Sequence, residues 1–266
     1  MDSLHPALSV VPASARAACS VGVIATNEAE LGETVEALHR AGFTPDCTTY
    51  LAVRNFGENH FDGYSGIAAF LERAEGRYLL VCHQDVRAID TRAELEAKLD
   101  EIEPDWALAG NAGSAGLGRS VRRISDPYNR DVLIGPLPHE VVSLDENLLI
   151  FNLARPITPS QALSGFHFYG TDLCIRARGM GERAWVIDWH VEHLSGGSLN
   201  ASWAAGRRAL ERHYEGTLGN VVIQTPTTLL LFGIFKVFRP IRKTVWRVVR
   251  HGGQLLAKLG RVGRPT

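Results

Sequence analysis

Residues 78–85 read Tyr-Leu-Leu-Val-Cys-His-Gln-Asp, an unbroken apolar run that ends abruptly in three polar side chains. Five consecutive apolar residues without alternation describe a strand buried on both faces, the environment of a parallel sheet covered by helices. A second such run, residues 20–25 (SVGVIA), leads into Thr26-Asn27 and then Leu31, Val35 and Leu38 at helical spacing, until Gly42 stops the helix. Residues 48–53 form a third strand-like run, and Ile67, Phe70, Leu71 and Ala74 mark a helix closed by Gly76. The capping box Thr91-x-x-Glu94 opens another, with Leu95, Leu99 and Ile102 inward. Strand-length runs alternating with helical periods predict an α/β layer fold.

The second half is less regular. Residues 106–109 and 141–151 are strand-like, separated by the turn Gly110-Asn111-Ala112-Gly113-Ser114 and a polar loop of the length that binding loops have. A short helix is expected over 172–178, a strand over 184–189 and a helix over 200–214.

With 266 residues, 45% of them hydrophobic and 21% charged, the chain can bury a sizeable core, which excludes a peptide, a fibre or a largely disordered protein. Cys19, Cys47, Cys82 and Cys174 are far apart with no C-x-x-C, so they read as reduced thiols of a cytoplasmic protein. Asp2, Pro6, Ser9, Pro12 and Ser14 do not fit a secretory leader.

Net charge divides sharply. Residues 1–225 hold 19 Lys and Arg against 29 acids, a net −10, whereas residues 226–266 carry +9 and no acid. We therefore expect an N-terminal extension over 1–18, a body over 19–215 and a basic amphipathic tail over 216–266. Pro226, four threonines, Asn220 and Gln224 make 216–235 too polar for a spanning helix. Beyond it, Pro240 opens a predicted helix with Ile241, Val245, Val248 and Val249 on one face against Arg242, Lys243, Arg247 and Arg250. Such a helix predicts peripheral attachment to an anionic inner membrane face, with packing in a homodimer as the alternative. The acidic body argues against nucleic acid.

Ligands of open α/β sheets collect beyond the carboxyl ends of strands, where Thr26-Asn27, Arg54-Asn55, His83-Gln84-Asp85 and residues 190–193 fall. There is no G-x-G-x-x-G after the first strand and no P-loop motif anywhere. His190 and His193 are three apart on a strand, so they face opposite sides and only one can enter a given site. Asp85, ending the most apolar strand, must be solvated, paired or metal-bound, since a bare carboxylate there is costly. A turn aspartate and a structural histidine are the plain alternatives for Asp85 and His193.

Taken in order, the opening strand before Thr26-Asn27, the segment 78–86, the segment 166–174 (FHFYGTDLC) and the segment 191–198 (VEHLSGGS) resemble the GT-A glycosyltransferases, family 2 type, in particular their StrF-like branch. The resemblance spans residues 19–215. It implies a Rossmann-like mixed sheet flanked by helices, to which the basic residues read above add a C-terminal helical tail. It also implies inverting, metal-dependent transfer of a hexosyl-type sugar from a nucleotide-diphosphate donor to a glycan, lipid-linked or secondary-metabolite acceptor, as in polysaccharide biosynthesis. The donor would lie against Thr26, Asn27, Asn55, Gln84 and Asp85. The family's D-x-D looks like His83-Gln84-Asp85, which leaves Asp85 and the distant His193 as ligands of Mn²⁺ or Mg²⁺. Carboxylate, imidazole and phosphate ligation suits Mn²⁺ at least as well as Mg²⁺.

Where the family pattern has E-D-x-D-L-C, this chain has Tyr169-Gly170-Thr171-Asp172-Leu173-Cys174, so Gly170 stands at the position of the catalytic base. Asp172 is the nearest remaining carboxylate and the expected base, with Asp145, Glu146 and Asp188 as replacements. The second reading, which Gly170 and His83 favour, is a non-catalytic nucleotide-sugar or glycan binding module tethered to membrane.

Overall fold

The apolar runs become strands, and capping side chains start the helices between them, in the computed structural model, which describes residues 5–102, 104–197, 199–249 and 252. Along the chain lie β1 (Leu8–Val11), β2 (Cys19–Ala25), α1 (Glu28–Arg40), β3 (Thr48–Arg54), α2 (Gly63–Leu71), β4 (Tyr78–His83), β5 (Val86–Ala88) and α3 (Arg92–Asp100). There follow β6 (Trp106–Gly110), β7 (Ala112–Ser114), β8 (Ser120–Asp126), β9 (Asn129–Ile134), β10 (His139–Glu140), β11 (Ser143–Leu144), β12 (Leu148–Asn152) and α4 (Tyr169–Gly179). The last are β13 (Arg183–Val186), β14 (Val191–His193), α5 (Ala201–Tyr214), β15 (Val222–Gln224), β16 (Leu229–Leu231) and a 3-10 segment, Gly233–Ile241.

Eight strands form the main sheet, in the order β1-β3-β2-β4-β12-β6-β13-β10. β2 is parallel to both β3 and β4, β12 is antiparallel to β4 and β6, and β13 returns parallel to β6. This is the expected α/β fold with a mixed sheet and flanking helices. The chain steps from β2 out to β3, then back past β2 to β4. A crevice therefore opens between the carboxyl ends of β2 and β4, where the chain leaves β2 toward β3 on one side and β4 toward β6 on the other.

Burial on both faces explains the unbroken run at residues 78–82. Leu79 and Val81 join one core cluster, with Phe70 and Phe151, while Tyr78, Leu80 and Cys82 join the other, with Trp106 and Trp189. Close packing of α2 onto β2 requires Gly22, where a Cβ would lie 2.6 Å from the Phe70 ring. A second sheet, β11-β7-β8-β14-β5 with β9 beside β8, stands over the crevice end of the first.

The two expected boundaries both fall inside folded structure. The segment 1–18 contributes β1, which pairs antiparallel with β3 as an edge strand. Beyond Gly216, β15 and β16 form a hairpin whose Ile223 and Leu230, with Phe232, are buried in the same cluster as Leu79. The reason is visible in the apolar run 229–232 (LLLF), which has to be covered.

The tail also differs from a simple amphipathic helix. Pro240 sits at the end of the 3-10 segment, and helical turns run over 242–249. Arg242 turns inward, 2.6 Å from the Glu211 carboxylate, because that buried acid needs a cationic partner. Ile241 and Val248 face outward. Arg250 and the cations after it lie outside the described residues. No helix among the described residues is long and apolar enough to cross a membrane.

Candidate functional site

At the carboxyl ends of β2 and β4 is a cleft of about 720 Å³, walled by β7 and β8, the start of α4, the loop after β14 and the turn Thr225-Pro226-Thr227. The short β5 pairs antiparallel with β14, setting His193 opposite Val86, and the Leu194 N–H donates to the Asp85 carbonyl at 3.0 Å. That register carries the His193 imidazole over Asp85, Nε2 to Oδ1 3.3 Å. His83 Nδ1 is 4.0 Å from the same oxygen. The ligand atoms of His83, Asp85 and His193 all lie within 4.8 Å of one another.

Hydrogen bonding fixes the His83 tautomer. The Tyr169 hydroxyl donates to the Glu146 carbonyl at 3.3 Å, so its oxygen accepts from His83 Nε2–H at 3.1 Å. Nδ1 then keeps its lone pair toward Asp85. Burial and the charge of His193 both lower the His83 pKa, favouring this neutral form. Burial works to raise the Asp85 pKa, but hydrogen bonds from His193 and Ser195 hold the carboxyl well below its usual range. His193 is shifted upward: the Asp85 hydrogen bond and charge outweigh the cost of burial. One carboxylate and two imidazoles converging from two strand ends and a turn fit a divalent cation, with Tyr169 as the outer group that orients a ligand. From the sequence, His83 reads as an aspartate lost; imidazole being a ligand in its own right was the signal that could have found it.

Glu146 also lines the cleft, just after β11. It fills the neighbourhood that Gly170 leaves open: a Cβ at Gly170 would stand 3.6 Å from Glu146 Cγ and only 2.7 Å from the Leu144 carbonyl oxygen. Burial and the adjacent Asp145 push the Glu146 carboxyl up to about 8, against the backbone amides of Phe168 and Gly170. Phe168, which precedes α4, has φ 70°, a left-handed conformation that costs a bulky residue on the order of 1–3 kcal/mol. That turn starts α4 three residues before Asp172.

The expected donor residues divide into two groups. Thr26 and Gln84 line the cleft beside Asp85. Gln84 Oε1 accepts from the N–H groups of Thr26 and Asn27 at 2.7 and 3.0 Å, so it bridges the crevice between β4 and β2. Asn27 caps α1, accepting from Ala29 and Glu30, and does not line the cleft. Asn55, 2% exposed, spends its amide on the Phe61 carbonyl and the His60 N–H, organising the loop after β3. Both corrections have one cause: short amide side chains at strand ends satisfy local backbone groups first.

Asp172 is placed away from the expected role. It is fully buried and accepts from Ser160 N–H (2.8 Å), Ser160 Oγ (2.6 Å) and the Tyr214 hydroxyl (2.6 Å). Because the helix begins at Tyr169, the Asp172 side chain points into the body toward α5 and not into the cleft. Asp188 pairs with Arg123 at 3.3 Å. Phe166, Phe168, Tyr169 and Trp203 line the cleft, whereas Trp189 is core, donating to the Thr91 carbonyl. His190 and His193 diverge as their spacing requires: His190 lies 2.9 Å from Ser125 Oγ, away from Asp85.

No family profile matches the chain. A curated relative, the ATP synthase subunits region ORF 6 protein of Fuscovulum blasticum, is 36% identical over 206 residues, covering 73% of this chain and 82% of that protein. Among solved structures, the mannosyltransferase PcManGT from Pyrobaculum calidifontis, in complex with GDP-Man and Mn²⁺, is similar at 12% identity and a TM-score of 0.47, covering 96% of this chain and 78% of its own. A Drosophila galactosyltransferase in complex with manganese, UDP-Gal and xylobiose is similar at 13% identity and a TM-score of 0.38, over 65% of this chain and 70% of its own.

Proposed function

The chain belongs to the family of the Fuscovulum blasticum ORF 6 protein, whose name states no activity, and from the site itself we propose that it is an inverting, metal-dependent glycosyltransferase of GT-A type. In this reading it is of the family 2 kind and its StrF-like branch, and it moves a hexosyl group from a nucleotide-diphosphate sugar to a glycan, lipid-linked or secondary-metabolite acceptor. The observation that carries the proposal is the convergence of His83, Asp85 and His193 at the switch point of the sheet, in a cleft that also holds the Glu146 carboxylate.

His83, Asp85 and His193 would hold Mn²⁺ or Mg²⁺, which supplies Lewis-acid neutralisation of the negative charge that grows on a departing diphosphate. Tyr169 orients His83, and Gln84 ties the ends of β2 and β4 together so that the donor edge is rigid. The remaining requirement is a carboxylate to take the acceptor hydroxyl proton from the face opposite the leaving group. We assign it to Glu146 in place of Asp172, because Glu146 lines the cleft and Asp172 is saturated with buried hydrogen bonds. A carboxyl raised toward neutrality is a stronger base than an ordinary one.

The tail supports a peripheral membrane location: Ile234, Val237, Phe238, Ile241 and Val248 are exposed in a segment without a single acid. The first test is a thermal-shift panel of nucleotides and nucleotide sugars with and without Mn²⁺, followed by assay of nucleotide diphosphate release. A donor at 100 times its dissociation constant should add about 2.7 kcal/mol. Mn²⁺-independent or absent nucleotide binding overturns the reading. Binding without turnover on any acceptor leaves a binding module.

A further inference from the structure

Alternation along β8 sends neighbouring arginines to opposite faces. Arg123 points outward, paired with Asp131 and Asp188. Arg122, with Ser120, Ile124 and Asp126 at the same two-residue period, lines the cleft. It is the one lysine or arginine lining that cleft among the described residues, and its Nε is buried without a hydrogen-bond partner. Its guanidinium has no ion pair among the described residues, although Asp85, Asp126, Asp145 and Glu146 line the same cleft.

Position along the strand says which end it serves. Val191 and Glu192 of β14 pair with Ile124 and Ser125, so the register continues to His193 beside Asp126 at the metal-ligand end. Arg122 is four residues back, about 13 Å along a strand. In the other direction Ser120 accepts from Gln224 Nε2 at 3.4 Å, and Gln224 Oε1 takes the Gly118 N–H at 2.7 Å. That end of the cleft is closed by Thr225-Pro226-Thr227, on the hairpin that leads directly into the exposed apolar segment after Gly233. A half-buried guanidinium with its Nε unpartnered and no ion pair among the described residues, far from the donor end, calls for a planar or tetrahedral oxyanion on the other substrate.

We propose that Arg122 binds a phosphate group carried by the acceptor, with Ser120 on the same face of β8, and that it thereby selects a phosphorylated acceptor presented from the side of the tail. The inference rests on the transferase reading for the word acceptor, but its measurement is a separate one. Titration calorimetry of the full chain with farnesyl phosphate, farnesol and inorganic phosphate should show farnesyl phosphate binding most tightly. Arg122→Gln should weaken it by roughly 10- to 100-fold, and Arg122→Lys by less, because a point charge replaces a two-pronged contact. Affinity for UDP or GDP with Mn²⁺ should stay unchanged in both variants, which also reports that they fold.

Equal affinity for inorganic and farnesyl phosphate overturns the acceptor assignment. Unchanged farnesyl phosphate affinity in Arg122→Gln, or a loss confined to nucleotide, overturns the role of Arg122. A native chain that binds farnesyl phosphate through Arg122 but no nucleotide supports the phosphate site and removes the transferase reading instead.

Discussion

The His193 imidazole stands 3.3 Å from the Asp85 carboxylate because β5 and β14 pair antiparallel, with His193 opposite Val86. Two short strands thus bring together, from distant parts of the chain, side chains that could hold a metal ion. Asp85→Ala and His193→Ala should each abolish Mn²⁺-dependent nucleotide binding while leaving the far-ultraviolet circular dichroism unchanged. His83→Ala should do nearly as much, since His83 is the third converging donor. Mn²⁺ affinity that survives Asp85→Ala would remove the site.

Tyr169→Phe separates orientation from ligation. It deletes the oxygen that accepts from His83 Nε2 but leaves every ligand atom in place. Outer groups of this kind typically carry 10- to 100-fold in metal affinity, so Mn²⁺ titration should show a loss in that range. No change means that His83 is held by packing alone.

Glu146→Gln should lower turnover by roughly 10² to 10⁴ with donor binding intact, read from kcat and from nucleotide affinity together. A base has to be deprotonated, and burial with Asp145 raises the Glu146 carboxyl toward about 8. For the free enzyme kcat/KM should therefore climb as pH rises through the neutral range. Asp145→Asn removes one of the charges responsible and should move that limb to lower pH. His83 and His193 also line this cleft, so a limb that persists in Glu146→Gln would belong to one of the imidazoles.

Placing a carboxylate at Gly170, where the E-D-x-D-L-C pattern has one, should fail. In Gly170→Asp the new Cβ would meet the Leu144 carbonyl oxygen at 2.7 Å, a contact that requires β11 or α4 to shift. We expect a lower Tm and no recovery of turnover in the Glu146→Gln background.

Asp172→Ala should act on stability. It leaves the Ser160 amide, the Ser160 hydroxyl and the Tyr214 hydroxyl without their buried acceptor, at a cost of about 2–5 kcal/mol. Thermal denaturation should show the loss, and protein still folded at low temperature should turn over near the native rate. A stable variant without turnover would return the base to Asp172.

Deletion of residues 216–266 should unfold the body. Leu229, Leu230, Leu231 and Phe232 are each at most 2% exposed, and burial of each is worth about 1.5–3 kcal/mol. Their sum rivals the 5–15 kcal/mol stability of an ordinary domain. Membrane attachment is better tested by Val237→Asp with Phe238→Asp. This pair should leave Tm unchanged and reduce sedimentation with anionic vesicles in low salt.

Much of the scaffold was legible in the residues themselves. An apolar run without alternation forces burial on both faces, so residues 20–25 and 78–82 determined the parallel centre of the sheet, and Asn27 and Thr91 marked helix starts through local capping. Such signals are short-range, and the same physics marked Asp85 as a carboxylate in need of partners. Tertiary structure decided what depends on register and packing. Pairing of β5 with β14 brought His193 to Asp85, and Tyr169 holds His83 with its Nδ1 toward the same carboxylate. The α4 start three residues early sent Asp172 inward and left Glu146 in the cleft, and burial of an apolar hairpin made the first part of the tail inseparable from the core. Composition and periodicity record which side chains must be buried. They do not record which distant partner each one meets, because that is settled only when the whole sheet closes.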